Sequence, residues 1–352
     1  MKINIRKWQS IMIAGIVFLV LSGCSSDDST PELQASTTFS LKSVSVNKFA
    51  DNNQAATRSI PIQSKILREG MLSLSRIEEG KKTIWNVKHE YQDNKWLPES
   101  TAAFQEIELS EKPAHIVLFY PHHAMNGVIG DVPFDFTRVG DIPALKMYTK
   151  LYKRPEDAPC AGYVAADIYN PSPVQTLHQI YSMLSFRFVK QTSHEGEGNI
   201  NQIGIDQQPT MNRGDNSGGD NGTVTKYIIM EDRYEIRSPL GWNTLEGLSF
   251  KSEGGDNNIA NILLIPRNLS EIPVNNRQFN LKFWVDGIED GIEYDAAIPF
   301  SSFQNELLPG VQYRFKVLIG ETEVKVIPDD SVPVINDWNV GGEINPGEVE
   351  SI

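Results

Sequence analysis

Apolar and polar residues alternate along short stretches of this chain, and the stretches stop at Gly, Pro, Asn or Asp. Trp85, Val87, His89 and Tyr91 alternate with Asn86, Lys88 and Glu90. Side chains two residues apart share a face of an extended strand, so this pattern predicts a strand with one face covered. Ile116, Leu118 and Tyr120 repeat it before Pro121, and Leu184, Phe186 and Phe188 repeat it around Ser185 and Arg187. Phe279, Leu281, Phe283 and Val285 face one way, with Asn280, Lys282 and Trp284 facing the other. Tyr313, Phe315, Val317 and Ile319 alternate with Gln312, Arg314 and Lys316, and Val324 and Val326 follow across Gly320-Glu321, a tight hairpin turn. No long stretch of period 3.6 competes. Short strands with turn punctuation predict an all-β, antiparallel sandwich or barrel.

Three regions break the pattern. From Lys190 to Thr223 the chain is rich in Gly, Asn, Asp and Gln and poor in apolar groups, which predicts a long mobile loop over 190–223. Asp167 to Pro173 carries two prolines and predicts a domain boundary before a strand around Leu177 to Phe188. At the start, Lys2, Arg6 and Lys7 precede an apolar run from Ile11 to Leu21. That run is shorter than the span of about 20 residues a bilayer asks for, and a basic start before it describes a secretory signal peptide. Leu21-Ser22-Gly23-Cys24 resembles the lipobox of bacterial lipoproteins. The resemblance implies that the Cys24 thiol receives a diacylglycerol, that residues 1–23 are removed, and that the new amino terminus is acylated. Two or more chains of lipid hold a protein stably where one does not. Ser25 to Ser29 then read as a polar tether, and the acidic Asp27-Asp28 looks like an export signal to the outer face of an outer membrane.

Charge and cysteine count narrow the classes further. The 352 residues carry a net charge of −13, and loss of Lys2, Arg6 and Lys7 with the signal peptide takes it to −16. Such a surface argues against nucleic acid and against electrostatic docking on anionic lipid. With Cys24 acylated, Cys160 has no disulfide partner and reads as a small buried hydrophobe. Arg213-Gly214-Asp215 and the nearby Asn216 and Asp220 lie in the polar loop and lack the spacing of a formed calcium loop. Adjacent His122 and His123 point to opposite faces of an extended chain, His178 reads as a packed, hydrogen-bonded histidine, and His194-Glu195-Gly196-Glu197 is not H-E-x-x-H. There is no G-x-S-x-G, no G-x-x-x-x-G-K-[ST] and no G-x-G-x-x-G. The expectation is a protein without a catalytic site, metal or cofactor.

Several segments taken in order resemble the fimbrillins, the major and minor fimbrial subunit lipoproteins of some Gram-negative anaerobes. They are "WLPESTAAFQEIELSEKPAHIVLFYPHH", "LHQIYSMLSFRF", "NILLIPRNL", "LLPGVQYRFKVLIGETEVKV" and "INDWNVGGEINP". The resemblance implies two transthyretin-like antiparallel sandwiches in tandem: signal peptide 1–23, acylated tether 24–36, an N-terminal sandwich 37–172 with a removable first strand, and a C-terminal sandwich 173–352. It also implies a route of assembly. A protease cuts after an early strand, that strand leaves, and a strand from another subunit fills the vacated groove by pairing with its open edge. Here the departing strand is the one carrying Phe39, Leu41, Val44 and Val46. The cut falls at Arg58-Ser59, because Arg58 is the only basic residue between Lys48 and Lys65 and its surroundings are polar. The implied partners are other fimbrial subunits, the outer membrane through lipid on Cys24, and a host or bacterial surface receptor or glycan; the implied location is the cell surface. The residues after Trp338 contain Gly341-Gly342 and Pro346-Gly347, poor strand material, which leaves stalk, tip and anchor roles open. A second reading is a tethered glycan-binding lipoprotein that stacks sugar rings on Trp242 or Trp284.

Overall fold

The structure is a computed structural model that describes residues 38–51, 64–99, 107–123, 134–151, 158–209, 225–236, 240–245, 248–252, 258–289 and 291–329. Among the described residues the regular elements are β-strands and short 3-10 turns, and the all-β expectation holds. Each alternating stretch forms the strand expected of it: Ile84–Gln92, Ala114–Tyr120, Ser182–Lys190, Gln278–Val285, and the hairpin Val311–Ile319 with Val324–Pro328. Gln278–Val285 is the plainest case. Its Phe279, Leu281, Phe283 and Val285 are buried while Asn280, Lys282 and Trp284 lie on the half-open face.

The first large sheet has eight strands. In spatial order they are Ser64–Ile66, Val44–Asn47, Gln175–Gln179, Cys160–Ala166, Ala114–Tyr120, Met71–Ile77, Ile84–Gln92 and Lys95–Pro98. It is not wholly antiparallel, because Val44–Asn47 runs parallel to Gln175–Gln179. On its other side Gly162 lets Cys160–Ala166 pack close to Gln175–Gln179, since a Cβ on it would stand 2.9 Å from the Thr176 carbonyl oxygen. One face of this sheet covers a core of Leu41, Val44, Val46, Leu72, Leu74, Trp96, Ile116, Leu118, Cys160 and Leu177. Cys160 is buried there, in keeping with its reading as a small hydrophobe.

A second core gathers Phe186, Phe188, Phe279, Phe283, Phe300, Phe303, Tyr313 and Phe315 between two sheets. One sheet holds Ile259–Leu264, Ser182–Lys190 and Val311–Ile319; the other holds Leu240–Leu245, Ile200–Pro209, Gln278–Val285 and Ile292–Pro299. A third core draws Phe49, Val117, Phe119, Phe134, Phe136, Tyr181, Met183 and Leu263 together, so residues from both sides of position 180 share it.

Two expectations change. The stretch 190–223 is not one loop: Ile200–Pro209 is a ten-residue strand, although 210–224 lie outside the described residues. Its three isoleucines, Ile200, Ile203 and Ile205, enter the second core. Buried Asp206 accepts hydrogen bonds from the Asn280 backbone N–H and side-chain Nδ2 at 2.6 and 2.5 Å. A buried polar strand is tolerable because its polar groups are paired. The register slips between Ile205 and Gln208, where Gln207 takes φ of 55°, a bulge that hides the alternation. The passage from one sheet to the next also lies later than Asp167–Pro173. Gln175–Gln179 still pairs within the first large sheet, and the chain changes sheet at Ile180-Tyr181 before Ser182–Lys190.

Candidate functional site

Residues 38–51, here the lead segment, lie along the molecule as one extended run. Val44 and Val46 are fully buried, Leu41 is 2% exposed, and Phe39 packs half-buried against the same core. All four side chains expected on the removable strand therefore meet on one face. The alternation places Ser45 and Asn47 outward. The backbone is held on both sides: the Leu67 N–H donates to the Val44 carbonyl at 2.8 Å and the Gln175 N–H to the Ser43 carbonyl at 3.3 Å. Further toward the N-terminus the Phe39 N–H donates to Ile107 O at 2.8 Å, the Ser40 N–H to Pro171 O at 3.0 Å, and the Trp96 N–H to Leu41 O at 3.2 Å.

Outward side chains add a polar seam. The Ser45 and Thr176 hydroxyls share a hydrogen bond of 2.9 Å, and Asn47 Nδ2 donates to His178 Nδ1 at 2.6 Å. Hydrogen bonds of this kind contribute about 0.5–1.5 kcal/mol each. Apolar burial contributes more, at about 1.5–3 kcal/mol for each large side chain. The groove is therefore defined by its floor more than by its rim.

Sequence reasoning missed the far end of this run. Phe49 is 2% exposed and belongs to the third core, not the first. Ala50–Asp51 then pairs parallel with Val311-Gln312, and the Ala50 N–H donates to Gly310 O at 2.7 Å. The signal was present, since Phe49 is an isolated large apolar residue in a polar stretch. It keeps no period-2 phase with Val46, so alternation alone did not select it. Cys24, Arg58 and Ser59 lie outside the described residues, as do Arg213, Asp215, Asn216 and Asp220.

Five of the six histidines have a polar partner, and His115 Nδ1 is buried without one. His122 Nδ1 lies 2.6 Å from Ser73 Oγ, and His123 Nε2 lies 3.0 Å from Asp135 Oδ1. Burial pushes the His89 imidazole down to about 4. Burial, then the nearby Lys88 and His123 side chains, push His122 down to about 4 as well. Both rings are neutral near pH 7. His194 is buried between Gly320 O and Asp286 Oδ2, at 3.1 and 2.8 Å. Among the described residues no group of three or more His, Cys, Asp or Glu is placed to hold a metal ion. No helix among them is long and apolar enough to cross a membrane.

The two tryptophans considered for sugar stacking share the outer face of one sheet. Trp242 is 46% exposed and its ring lies over Gly204, 3.4 Å from where a Cβ would stand, with Lys282 Nζ 5.9 Å from its centroid. Trp284 is half-buried opposite Gln202.

No protein-family model matches this sequence, and no curated protein matches it. Solved structures do. A candidate cell adhesion protein from Bacteroides ovatus superposes with a TM-score of 0.52 at 10% identity, over 84% of this chain and 97% of that one. A candidate cell adhesion protein from Bacteroides uniformis gives 0.49 at 13% identity, over 83% and 96%. The tip fimbrial protein Mfa3 from Porphyromonas gingivalis, with C-terminal truncation, gives 0.37 at 9%, over 82% and 98%. At these identities the first likeness establishes a shared fold.

Proposed function

We propose that this protein is a structural and adhesive subunit of a cell-surface fimbria, exported as a lipoprotein through Cys24 and assembled by strand exchange. The observation that carries the reading is the lead segment. It completes the first core with Leu41, Val44 and Val46, yet it joins the residues that follow it only through 52–63, the polar stretch containing Arg58. A cut at Arg58-Ser59 makes the segment a separate peptide held by noncovalent contacts alone. Its departure opens a groove with an apolar floor and unpaired backbone on the Gln175–Gln179 strand, which an extended peptide from another subunit can satisfy. The shared fold with a candidate cell adhesion protein supports the surface role. In this reading the protein is not an enzyme, and the fimbria's other subunits are its partners.

N-terminal sequencing of protein recovered from the cell surface tests this. Assembled protein begins at Ser59, and Arg58→Gln protein keeps an acylated Cys24 terminus and stays out of polymers. An assembled wild-type chain that still begins at Cys24 rejects the exchange route.

A second reading, binding of a neutral glycan on the Trp242 face, is favoured by one observation: the Trp242 ring packs over Gly204 and the residue is nearly half exposed. Sugar rings stack on such a face. Retardation in gels containing yeast mannan or dextran, abolished by Trp242→Ala, supports it; unretarded wild-type protein removes it.

A further inference from the structure

Resting on the glycan reading of the Trp242 face, we infer that this face takes two sugar rings of one extended, uncharged chain. One ring lies on Trp242 and one on Trp284, and the Gln202 amide hydrogen-bonds the hydroxyls between them. The two indoles stand on neighbouring rows of one sheet face. Trp242 packs over Gly204, which pairs with Lys282, and Trp284 lies directly opposite Gln202. Gln202 and Gly204 are two residues apart on one strand, so the rows are separated by about 6.5 Å. Side chains two apart share a face, and Ile203 between them turns into the second core.

Gln202 is the residue left unsatisfied. It is only 9% exposed, yet among the described residues nothing hydrogen-bonds its side-chain amide. Buried polar groups are normally paired, and Asp206 on the same strand is, through two bonds from Asn280. The indole N–H groups of Trp242 and Trp284 also have no partner among the described residues. The face therefore offers neutral donors and one amide acceptor beside two aromatic rings. A sugar fits that set, because its hydroxyls both donate and accept and its axial C–H groups lie against the electron-rich face of an indole. Two ring platforms on one flat sheet select a chain whose successive rings present the same side, as equatorially linked pyranoses do. Charge selects further. Lys282 Nζ, 5.9 Å from the Trp242 centroid, is paired with Glu293 and lies 3.8 Å from Asp295. Two carboxylates thus surround one ammonium on a chain of net charge −13, and an acidic or sulfated glycan is repelled where a neutral one is not.

The test runs the full-length protein in native gels containing hydroxyethylcellulose, carboxymethylcellulose, yeast mannan or dextran. The first two share an equatorially linked backbone and differ in charge. The expected result is retardation in hydroxyethylcellulose, at least tenfold stronger than in carboxymethylcellulose. Trp242→Ala and Trp284→Ala each weaken it at least tenfold, and Gln202→Leu at least threefold, with urea midpoints unchanged. Cellotetraose competes at least tenfold better than glucose; this arm uses the wild-type protein and holds whatever the variants do to folding. Retardation in mannan or dextran but not in hydroxyethylcellulose leaves the Trp242 reading standing and rejects the extended chain. Retardation that Trp284→Ala and Gln202→Leu leave intact, or equal competition by glucose and cellotetraose, rejects the second ring. Equal retardation in carboxymethylcellulose rejects the charge rule. No retardation in any of the four removes the glycan reading itself.

Discussion

Of the three parallel strand pairs among the described residues, two have three or more register pairs, and they differ in depth. Val44–Asn47 meets Gln175–Gln179 through three register pairs, whereas Ser182–Lys190 meets Val311–Ile319 through eight. The longer pair is central in its sheet, with Ile259–Leu264 on one side and Val324–Pro328 on the other. Its side chains enter a lattice of rings: Phe186 meets Phe283 edge-on at 5.7 Å, and Phe303 meets Tyr313 at 5.0 Å. Such pairs add about 0.5–1.5 kcal/mol each beyond their burial. The shorter pair has only Ser64–Ile66 beyond it, and its strand belongs to a segment bound to the body at one end. Both pairings close a core. Only the shorter one can be withdrawn without tearing a sheet through its middle, and that contrast supports the proposed exchange of one region on a scaffold formed by the other.

The largest effect expected is on the scaffold. Phe283→Ala removes a ring that touches both Phe186 and Phe188, and a loss of about 3–5 kcal/mol in urea denaturation is expected. Leu41→Ala breaks the comparison more informatively. In the intact chain it costs about 2–5 kcal/mol. After cleavage within 52–63 the same change leaves the unfolding of the second core unchanged and speeds release of the lead segment, read by size exclusion of the labelled peptide. Equal effects of Leu41→Ala on both cores, before and after cutting, would show that the two regions are one cooperative unit.

Acid sharpens the contrast. His89 lies on Ile84–Gln92 in the first large sheet, and its folded pKa of about 4 is below the ordinary 6.5. Above 6.5 both folded and unfolded rings are neutral and the full stability is present. As pH falls, the unfolded ring takes its proton first, so stability declines until about pH 4. The loss is on the order of 3 kcal/mol. The urea midpoint of the first core should fall between pH 7 and 4.5, and His89→Leu should flatten that slope. The smallest change expected is Ser45→Ala, at about 0.5–1.5 kcal/mol, from loss of the hydroxyl contact with Thr176. A larger cost would move the main hold on the lead segment from its floor to its polar seam.

Where a strand has one open face, its pattern was readable along the chain. Gln278–Val285 is such a strand, and every residue but Trp284 faces as its polarity predicts. Ala114–Tyr120 was readable on one face only: Ile116 and Leu118 fill the first core, but Val117 and Phe119 fill the third, so both faces are covered. Ile200–Pro209 was not readable, because three isoleucines in ten residues do not announce a strand when Asp206 and Gln208 are buried beside them and a bulge shifts the phase. In the candidate site, Leu41, Val44 and Val46 stood out, and Phe49 did not.

By itself the order of residues determined the strands that have one open face, the inward side of those strands and the apolar identity of the lead segment, because alternation and turn residues act over a few neighbours at a time. It did not determine that Val44–Asn47 lies parallel to a strand about 130 residues away, that Ile180-Tyr181 is the point of passage between sheets, or that Phe49 reaches a third core. Those were decided by tertiary structure, since which strand edge an unpaired backbone finds, and which cavity a ring fills, depend on surfaces that exist only once the remote segments have packed.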